Sequence, residues 1–185
     1  MGVWGASRDD VWLVGAPGRI VHWDGVAFAE QDPAAFSFAS FNDVSGSAAD
    51  DVWVVGQTGT TVHWDGRAWT PFEKNLNRFL SGVWARQRDD VWFVGETSIL
   101  RWNGTALTET NLGPEQFPNA IWGTAADDVW AVGNAATAST VFHWNGASWS
   151  PSNVGTGQRM NGVWGSRGGD IWIGGDGPAI LRRRR

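Results

Sequence analysis

The sequence of 185 residues contains no cysteine, no tyrosine and a single lysine, Lys74. The absence of cysteine excludes a disulfide framework, a thiolate metal site and a cysteine nucleophile. No apolar run approaches the roughly 20 residues that a membrane-spanning helix needs, so we expect no membrane insertion. Stability must therefore come from packing of the chain alone.

Positive charge is also scarce in most of the chain. The formal net charge is −5, but four of the 14 basic residues form the C-terminal run Arg182–Arg185, which leaves residues 1–181 with 10 basic and 19 acidic residues. Nucleic-acid binding needs clustered Lys and Arg on the folded domain, so we expect no nucleic-acid partner. We interpret the arginine run as a terminal tail. The composition leaves the compartment open, with a bacterial, secreted or cell-surface protein favoured.

Tryptophan is what the sequence has in excess, with 15 Trp and 9 Phe. Burying one Trp removes about 150–250 Å² from water, which contributes up to about 4–6 kcal/mol. We therefore expect tryptophan to be the main stabiliser.

One motif, Asp-Asp-Val-Trp-x-Val-Gly, organises the chain because it recurs five times, degenerately in the last copy. Its tryptophans are 38 to 42 residues apart. A period near 40 residues is typical of propeller blades. The five motif tryptophans are Trp12, Trp53, Trp92, Trp130 and Trp172.

Each repeat contains four short β-prone runs. The first ends in Val-Trp-Gly or a variant, the second is the motif itself, and the third ends in Trp-Asp-Gly or Trp-Asn-Gly, a strong hairpin signal before the fourth. The second run is apolar on both sides, as in Val52–Val55, so both faces of its sheet must be covered. These features predict an all-β fold, a five-bladed β-propeller of four-stranded antiparallel blades closed into a ring.

We expect a single domain over residues 1–185, with blades at about 1–31, 42–72, 81–110, 119–151 and 161–185. The last blade is incomplete: it has no fourth run, and Arg183 stands where the other third runs have Trp. We expect a three-stranded last blade whose edge is blunted by arginines. The alternative is that the sequence is a fragment of a longer chain. We expect a monomer and leave open association through this incomplete blade.

These motifs, which span essentially the whole chain, resemble those of Trp-rich bacterial propellers of myxobacterial type, related to BNR (sialidase-type) repeats and to photosystem II assembly-factor propellers. The resemblance implies the fold, whereas activity varies because such propellers include glycosidases, lectins and scaffolds. The sialidase Asp-box, Ser-x-Asp-x-Gly-x-Thr-Trp, is not matched.

The three histidines, His22, His63 and His143, invite a zinc-site interpretation. They occupy one repeat position on the third strand, however, too far from the axis for three blades to share one ion, and Arg101 and Arg182 fill the same position in the other repeats. We therefore predict no metal and no cofactor. Instead, each His or Arg should donate to an acidic residue at the start of the second strand, Asp10, Asp51, Asp90, Asp128 or Asp170.

The paired carboxylates, such as Asp9 and Asp10, could suggest a glycoside hydrolase, which uses two acids around the scissile bond. They recur in every unit, and adjacent strand residues point to opposite faces, so turn-capping is the interpretation we favour. Catalytic residues are accordingly predicted to be absent.

Function is expected on the variable loops before the first strands and between the second and third strands. Our hypothesis is a non-enzymatic propeller that binds a protein or glycan partner through this loop-bearing face; the alternative is a multivalent lectin with pockets between blades. The candidate ligand-binding residues are Asn42, Arg78, Phe79, Ser81, Gln116, Phe117, Asn119, Arg159 and Asn161. Met160 lies close to this set in the sequence.

Overall fold

The chain folds as five antiparallel sheets, one for each copy of the repeat, in a computed structural model that describes residues 1–31, 40–72, 76, 78–135, 139–155, 157–166, 169–178 and 180–183. The protein is a five-bladed β-propeller, as predicted: four blades have four strands and the last has three. None of the described residues forms a helix long and apolar enough to cross a membrane.

In each sheet the strands follow one another in chain order, so each is hydrogen-bonded to its sequence neighbour. Blade 1 comprises β1 (Gly2–Ser7), β2 (Asp10–Gly15), β3 (Arg19–Trp23) and β4 (Phe28–Gln31). Blade 2 comprises β5 (Phe41–Ala48), β6 (Asp51–Gly56), β7 (Thr61–Trp64) and β8 (Trp69–Pro71), with a 3-10 turn at Gln57–Gly59. Blade 3 comprises β9 (Gly82–Gln87), β10 (Asp90–Gly95), β11 (Ser98–Trp102) and β12 (Leu107–Asn111). Blade 4 comprises β13 (Gln116–Ala125), β14 (Asp128–Ala135), β15 (Ser139–Trp144) and β16 (Trp149–Pro151). Blade 5 comprises β17 (Met160–Gly165), β18 (Ile171–Gly175) and β19 (Ile180–Arg183).

The Asp-Gly and Asn-Gly turns close the outer hairpins. The Asp65 carboxylate accepts the backbone N–H groups of Arg67 and Ala68, both at 2.9 Å. Gly66 has φ +90°, and a Cβ there would lie 2.7 Å from Cβ of Asp50, the first acid of the motif. The turn therefore requires glycine both for its backbone conformation and for its contact with the motif.

The core lies between blades rather than inside any one of them. Four clusters of buried apolar side chains fill the four spaces between consecutive blades. Every residue of β6 and β10 is buried, as expected for second strands that are covered on both faces.

The predicted closure of the ring is wrong for the part of the chain that the structure describes. The inner strands pack in the order β1, β5, β9, β13 and β17, but no comparable packing joins β17 to β1. Val3 and Phe28 of blade 1 are each 66% exposed, and Trp164 of blade 5 is 56% exposed. Five repeats therefore form an open series of blades, because repetition specifies how each blade meets the next but not how many complete a circle.

Candidate functional site

An acid–base pair recurs in every repeat at the start of the second strand, where an aspartate bonds a histidine or an arginine of the third strand. His63 Nε2 donates to Asp51 Oδ1 at 2.7 Å, and Arg101 Nε donates to Asp90 Oδ1 at 2.8 Å. The other three pairs, with distances of 2.5 to 2.7 Å, are His22 with Asp10, His143 with Asp128 and Arg182 with Asp170. Each of these side chains also lies over its own motif indole, stacked for His63 at 4.2 Å from Trp53.

These carboxylates are held by several donors at once. Burial alone would raise the pKa of Asp51, but hydrogen bonds from His63, Ser47 and Trp53 together hold that pKa below its usual value. Burial likewise opposes the shift at Asp128, where Thr124, His143 and Trp130 lower the pKa. Asp51 and Asp128 are thus each bonded by three side chains of their own blade, and Arg183 of blade 5 also approaches Asp128 to 3.6 Å. Among the described residues no three His, Asp or Glu side chains are grouped to hold a metal ion.

The second candidate region is the loop face, the end of the propeller where the inner strands begin and where the second strand is followed by the third. The backbone N–H of Gln57 donates to the Ser40 carbonyl at 3.0 Å, and that of Asp176 to the Arg159 carbonyl at 2.9 Å. These bonds bring the loops after the second strands against the residues that precede the inner strands.

Three of the predicted polar residues on the loop face are β-bulge residues: Asn42, Asn119 and Asn161 each lie at a register shift of an inner strand. The sequence analysis begins blade 4 at about residue 119, whereas its first strand β13 begins at Gln116. That strand begins early because Gln116 and Phe117 pair with Ala135 and Asn134 of an unusually long second strand. Asn119 is half-buried at its bulge.

The amide of Asn42 and the hydroxyl of Ser81 connect blades. Asn42 Nδ2 donates to the Leu80 carbonyl at 2.7 Å, and Ser81 Oγ donates to the Pro118 carbonyl at 2.9 Å. Both side chains bridge to the next blade and are half-buried, so they contribute more to the framework than to an open ligand surface.

Other predicted residues are bonded within their own blades. Gln116 Oε1 accepts the Thr140 hydroxyl at 2.9 Å, and Asn161 Nδ2 donates to Asp176 Oδ1 at 2.7 Å. Arg159 is exposed, whereas the neighbouring Met160 is buried in the core between blades 4 and 5.

Phe79 and Phe117 differ from these residues because their rings are exposed, by 44% and 43%. They occupy the same position in neighbouring repeats, two residues before Ser81 and Asn119. The Ser81–Pro118 hydrogen bond joins the segment that follows Phe79 to the segment that follows Phe117. The two exposed rings therefore lie on the loop face of adjacent blades.

Charged groups flank this aromatic pair. Arg78 Nη1 donates to Glu109 Oε1 at 2.5 Å, and the Ser98 hydroxyl donates to the same oxygen at 2.6 Å. Hydrogen bonds from Arg78 and Ser98 hold the pKa of Glu109 below its usual value. Glu96 accepts the Phe79 N–H at 3.2 Å and has φ +48°, which is unusual for a residue other than glycine.

The sequence analysis missed Asp43, an acid on the inner strand of blade 2. Its carboxylate accepts the Val83 N–H at 3.0 Å across the blade boundary. Burial raises the pKa of Asp43 to about 6, against the hydrogen bonds from Val83 and Val44. The signal was present in the sequence, since the other repeats have Gly or Ala at the position before Val-Trp-Gly.

A cavity of about 690 Å³ opens between blades 2 and 3. In other blades the fourth strand begins with an aromatic residue: Trp69 lies 5.2 Å from Trp12, and Trp149 lies 5.5 Å from Trp92. Blade 3 has Leu107 there, and Phe72 of blade 2 lies 4.9 Å from Trp53. The residues that line the cavity are Trp53, His63, Phe72, Gln87, Arg88, Asp89, Trp102 and Gly104.

At the level of sequence the chain matches neither a protein-family model nor a curated protein. Solved structures similar to it include YCF48 bound to D1 peptide (TM-score 0.74, 18% identity, 100% of this chain and 64% of that chain). They also include YCF48 from Cyanidioschyzon merolae (0.67, 15%, 98% and 71%) and virginiamycin B lyase from Staphylococcus aureus with quinupristin (0.77, 18%, 98% and 64%). The chain thus spans about two thirds of the length of these structures. At such identities the likeness shows the propeller fold.

Proposed function

We propose that this protein is a non-enzymatic propeller that binds a segment of another protein across the loop face of blades 3 and 4. The observation that carries the proposal is the pair of exposed rings, Phe79 and Phe117. In the described parts of blades 2 to 4 and the segments joining them, these are the large apolar side chains left exposed, and both lie on the same face. Exposed aromatic residues in a polar surround are typical of protein interfaces.

The groups around the rings favour a peptide. Arg78 is paired with Glu109, and the exposed Arg159 and Glu96 add charge of both signs. Such a surface suits an extended segment with an apolar side chain and polar backbone groups. The structure of YCF48 with D1 peptide is a fold-level precedent for a propeller that holds a peptide.

The enzymatic alternative has less support, although the lyase among the similar structures means that the fold does not decide the question. A glycoside hydrolase needs two acids facing one bond. Of the repeated acids, Asp9 lies against the hairpin glycine Gly25 and Asp10 is paired with His22. Asp43 differs between blades, but its carboxylate is bound to Val83.

The test uses a displayed peptide library selected on the purified protein, followed by calorimetric titration of individual selected peptides. Phe79→Ala and Phe117→Ala should each weaken binding by about 10- to 30-fold, as expected for truncated aromatic anchors at an interface. Val26→Ala is the matched control, because Val26 is 85% exposed in a hairpin turn away from the loop face. Selected peptides that bind equally well to the variant with both substitutions would refute the proposal.

A glycan-binding function is a second candidate, and the cavity between blades 2 and 3 is the observation that favours it. The half-buried rings of Phe72 and Trp102 could stack against a sugar, and Arg88 and Asp89 at the rim could bond its hydroxyls.

A glycan array tests this second candidate directly. Trp102→Ala should remove a ring from the cavity wall and abolish any glycan binding, while peptide binding to the loop face stays unchanged. Val26→Ala serves as the surface control. Glycan binding that survives Trp102→Ala would exclude this cavity as the site.

A further inference from the structure

Consecutive blades meet through two repeated contacts, and the first involves the motif tryptophan. The Trp12 ring of blade 1 lies 5.4 Å from Trp64 and 5.2 Å from Trp69, the two aromatic residues that flank the outer hairpin of blade 2. Trp92 of blade 3 meets Trp144 and Trp149 of blade 4 in the same way, both at 5.5 Å. At these two interfaces the motif indole is thus covered by the aromatic pair of the next blade. At the other two, Phe72 lies 4.9 Å from Trp53, and Arg183 of blade 5 lies over the Trp130 ring at 4.8 Å.

The second contact joins an inner-strand indole to a glycine of the next blade. A Cβ on Gly46 would lie 2.6 Å from the Trp4 ring, and one on Gly123 would lie 2.4 Å from the Trp84 ring. Gly165 abuts Trp122 in the same way at 2.5 Å. The glycine of Val-Trp-Gly is therefore required by the indole of the preceding blade.

Blade 2 shows that the two positions change together. Ser45 replaces the inner tryptophan there, and blade 3 has Ala85 in place of glycine. The Ser45 hydroxyl accepts the Ala85 N–H at 3.1 Å, in the space that an indole would fill. Glycine at this position therefore indicates a tryptophan in the preceding blade.

Blade 5 presents the indole half of this interface, which the described parts of the chain leave largely exposed. Trp164, equivalent to Trp84 and Trp122, is 56% exposed, and Trp172, the fifth motif tryptophan, is 38% exposed. Arg182 lies over one face of the Trp172 ring at 5.0 Å, as His63 does over Trp53.

Blade 1 presents the other half. Trp23 and Phe28 form the aromatic pair, with ring centroids 4.8 Å apart, and Phe28 is 66% exposed. Gly5 occupies the glycine position, yet the three atoms nearest to a Cβ there belong to Asp10, Ser7 and Val11 of its own blade. Beside these residues lies an apolar cavity of about 380 Å³ that is lined by Leu13, Val21 and Phe28 among others.

We propose that these two open faces bind a further pair of blades of this same tryptophan repeat, supplied by another polypeptide segment. The incoming segment offers a Trp-Asp-Gly hairpin and a glycine to Trp172 and Trp164, and an inner indole to Gly5. The length of the similar propellers sets the size of the partner. The part of the YCF48 structures that this chain does not match is 29–36% of their length. At about 40 residues a blade, that part corresponds to two or three blades. A second copy of this five-bladed chain would be too large.

The test adds such blades to the protein. A second copy of residues 40–112, which form blades 2 and 3, is fused through a flexible linker after Arg185, and oxidation of single tryptophans is followed by hydroxyl-radical footprinting. Trp164 should fall from 56% exposure to about the 5% of its equivalent Trp84, which predicts an oxidation rate lower by about tenfold. The fused chain should unfold in one cooperative transition.

The matched control is the same fusion with Trp64→Arg and Trp69→Arg in the added copy, which removes its aromatic pair. Trp172 should then be oxidised at the same rate as in the unfused protein. Fusion of the segment before Met1 tests the blade 1 face independently, through slower oxidation of Phe28. Added blades that remain unfolded in both fusions, or that leave the oxidation rates unchanged, would overturn the proposal. So would protection of Trp164 in the unfused protein that rises with its concentration, because a second copy would then be the occupant.

Discussion

Replacing His63 with alanine tests whether the repeated acid–base pairs stabilise the propeller. Asp51 is fully buried, and His63 supplies one of its three side-chain hydrogen bonds, at 2.7 Å. The substitution removes that donor and also the ring that stacks on Trp53 at 4.2 Å. The buried carboxylate is left under-bonded in a site that water does not reach freely.

The expected loss follows from these two contacts. A hydrogen bond to a charged group contributes about 1.5–3 kcal/mol, and a stacked ring pair about 0.5–1.5 kcal/mol. We therefore expect His63→Ala to lower the free energy of unfolding by about 2–4 kcal/mol, or the melting temperature by roughly 4–16 °C for a chain of this size.

Urea unfolding followed by tryptophan fluorescence measures the change at neutral pH. His63→Arg is the matched control, because the chain itself places Arg101 in this position, with Nε 2.8 Å from Asp90 and the guanidinium over Trp92. We expect this variant to retain most of the stability.

The same pair predicts a pH dependence. Because the pKa of Asp51 is lowered in the folded protein, its stabilising contribution is complete above the unfolded pKa near 4 and is lost as the pH falls through the folded value. The difference between the wild type and His63→Ala should therefore shrink in acid. A neutral-pH loss below about 0.5 kcal/mol, the range of ordinary surface substitutions, would refute the structural role.

Two further predictions concern the contacts between blades. Because burial raises the pKa of Asp43 to about 6, its protonated form stabilises the fold below the unfolded pKa near 4, and this contribution is lost as the pH rises through 6. Asp43→Asn should therefore raise the free energy of unfolding at pH 7.5 by on the order of 2–3 kcal/mol and by much less at pH 4. Urea unfolding at both pH values measures the change. A variant with unchanged stability at pH 7.5 would contradict this. Gly123→Ala should lower the free energy of unfolding by about 1–3 kcal/mol, because its Cβ would collide with the Trp84 ring at 2.4 Å. Ala85→Gly should lower it by at most about 1 kcal/mol. Equal changes in melting temperature for the two variants would contradict the repeated contact.

Much of the fold could be predicted because its signals are local and repeated. The five motif tryptophans, the Asp-Gly and Asn-Gly turns and the doubly apolar second strands predicted five blades, four strands in each of the first four and three in the last. The pairing of each third-strand His or Arg with a second-strand acid was also suggested by position alone, since the two residues recur together in every repeat.

The candidate site was predicted less well because its residues act across blades. Asn42 and Ser81 have the polar character of ligand-binding residues, but their side chains bond the next blade. Asp43 was not identified because the burial that raises its pKa, against the hydrogen bond from Val83, exists only in the folded protein. The exposed Phe79 and Phe117 were identified as candidates, yet their position on adjacent blades of one face depended on the Ser81–Pro118 bond.

The sequence by itself determined the blade, its turns and the way in which one blade covers the next, because each of these rests on residues that recur every 40 positions. It did not determine how the series of blades ends. A repeat encodes a nearest-neighbour contact, and the same contact is compatible with several numbers of blades in a circle. Only the tertiary structure showed that Trp164 and Trp172 at one end and Phe28 at the other are left exposed by the described parts of the chain, whereas their equivalents between blades are buried or half-buried.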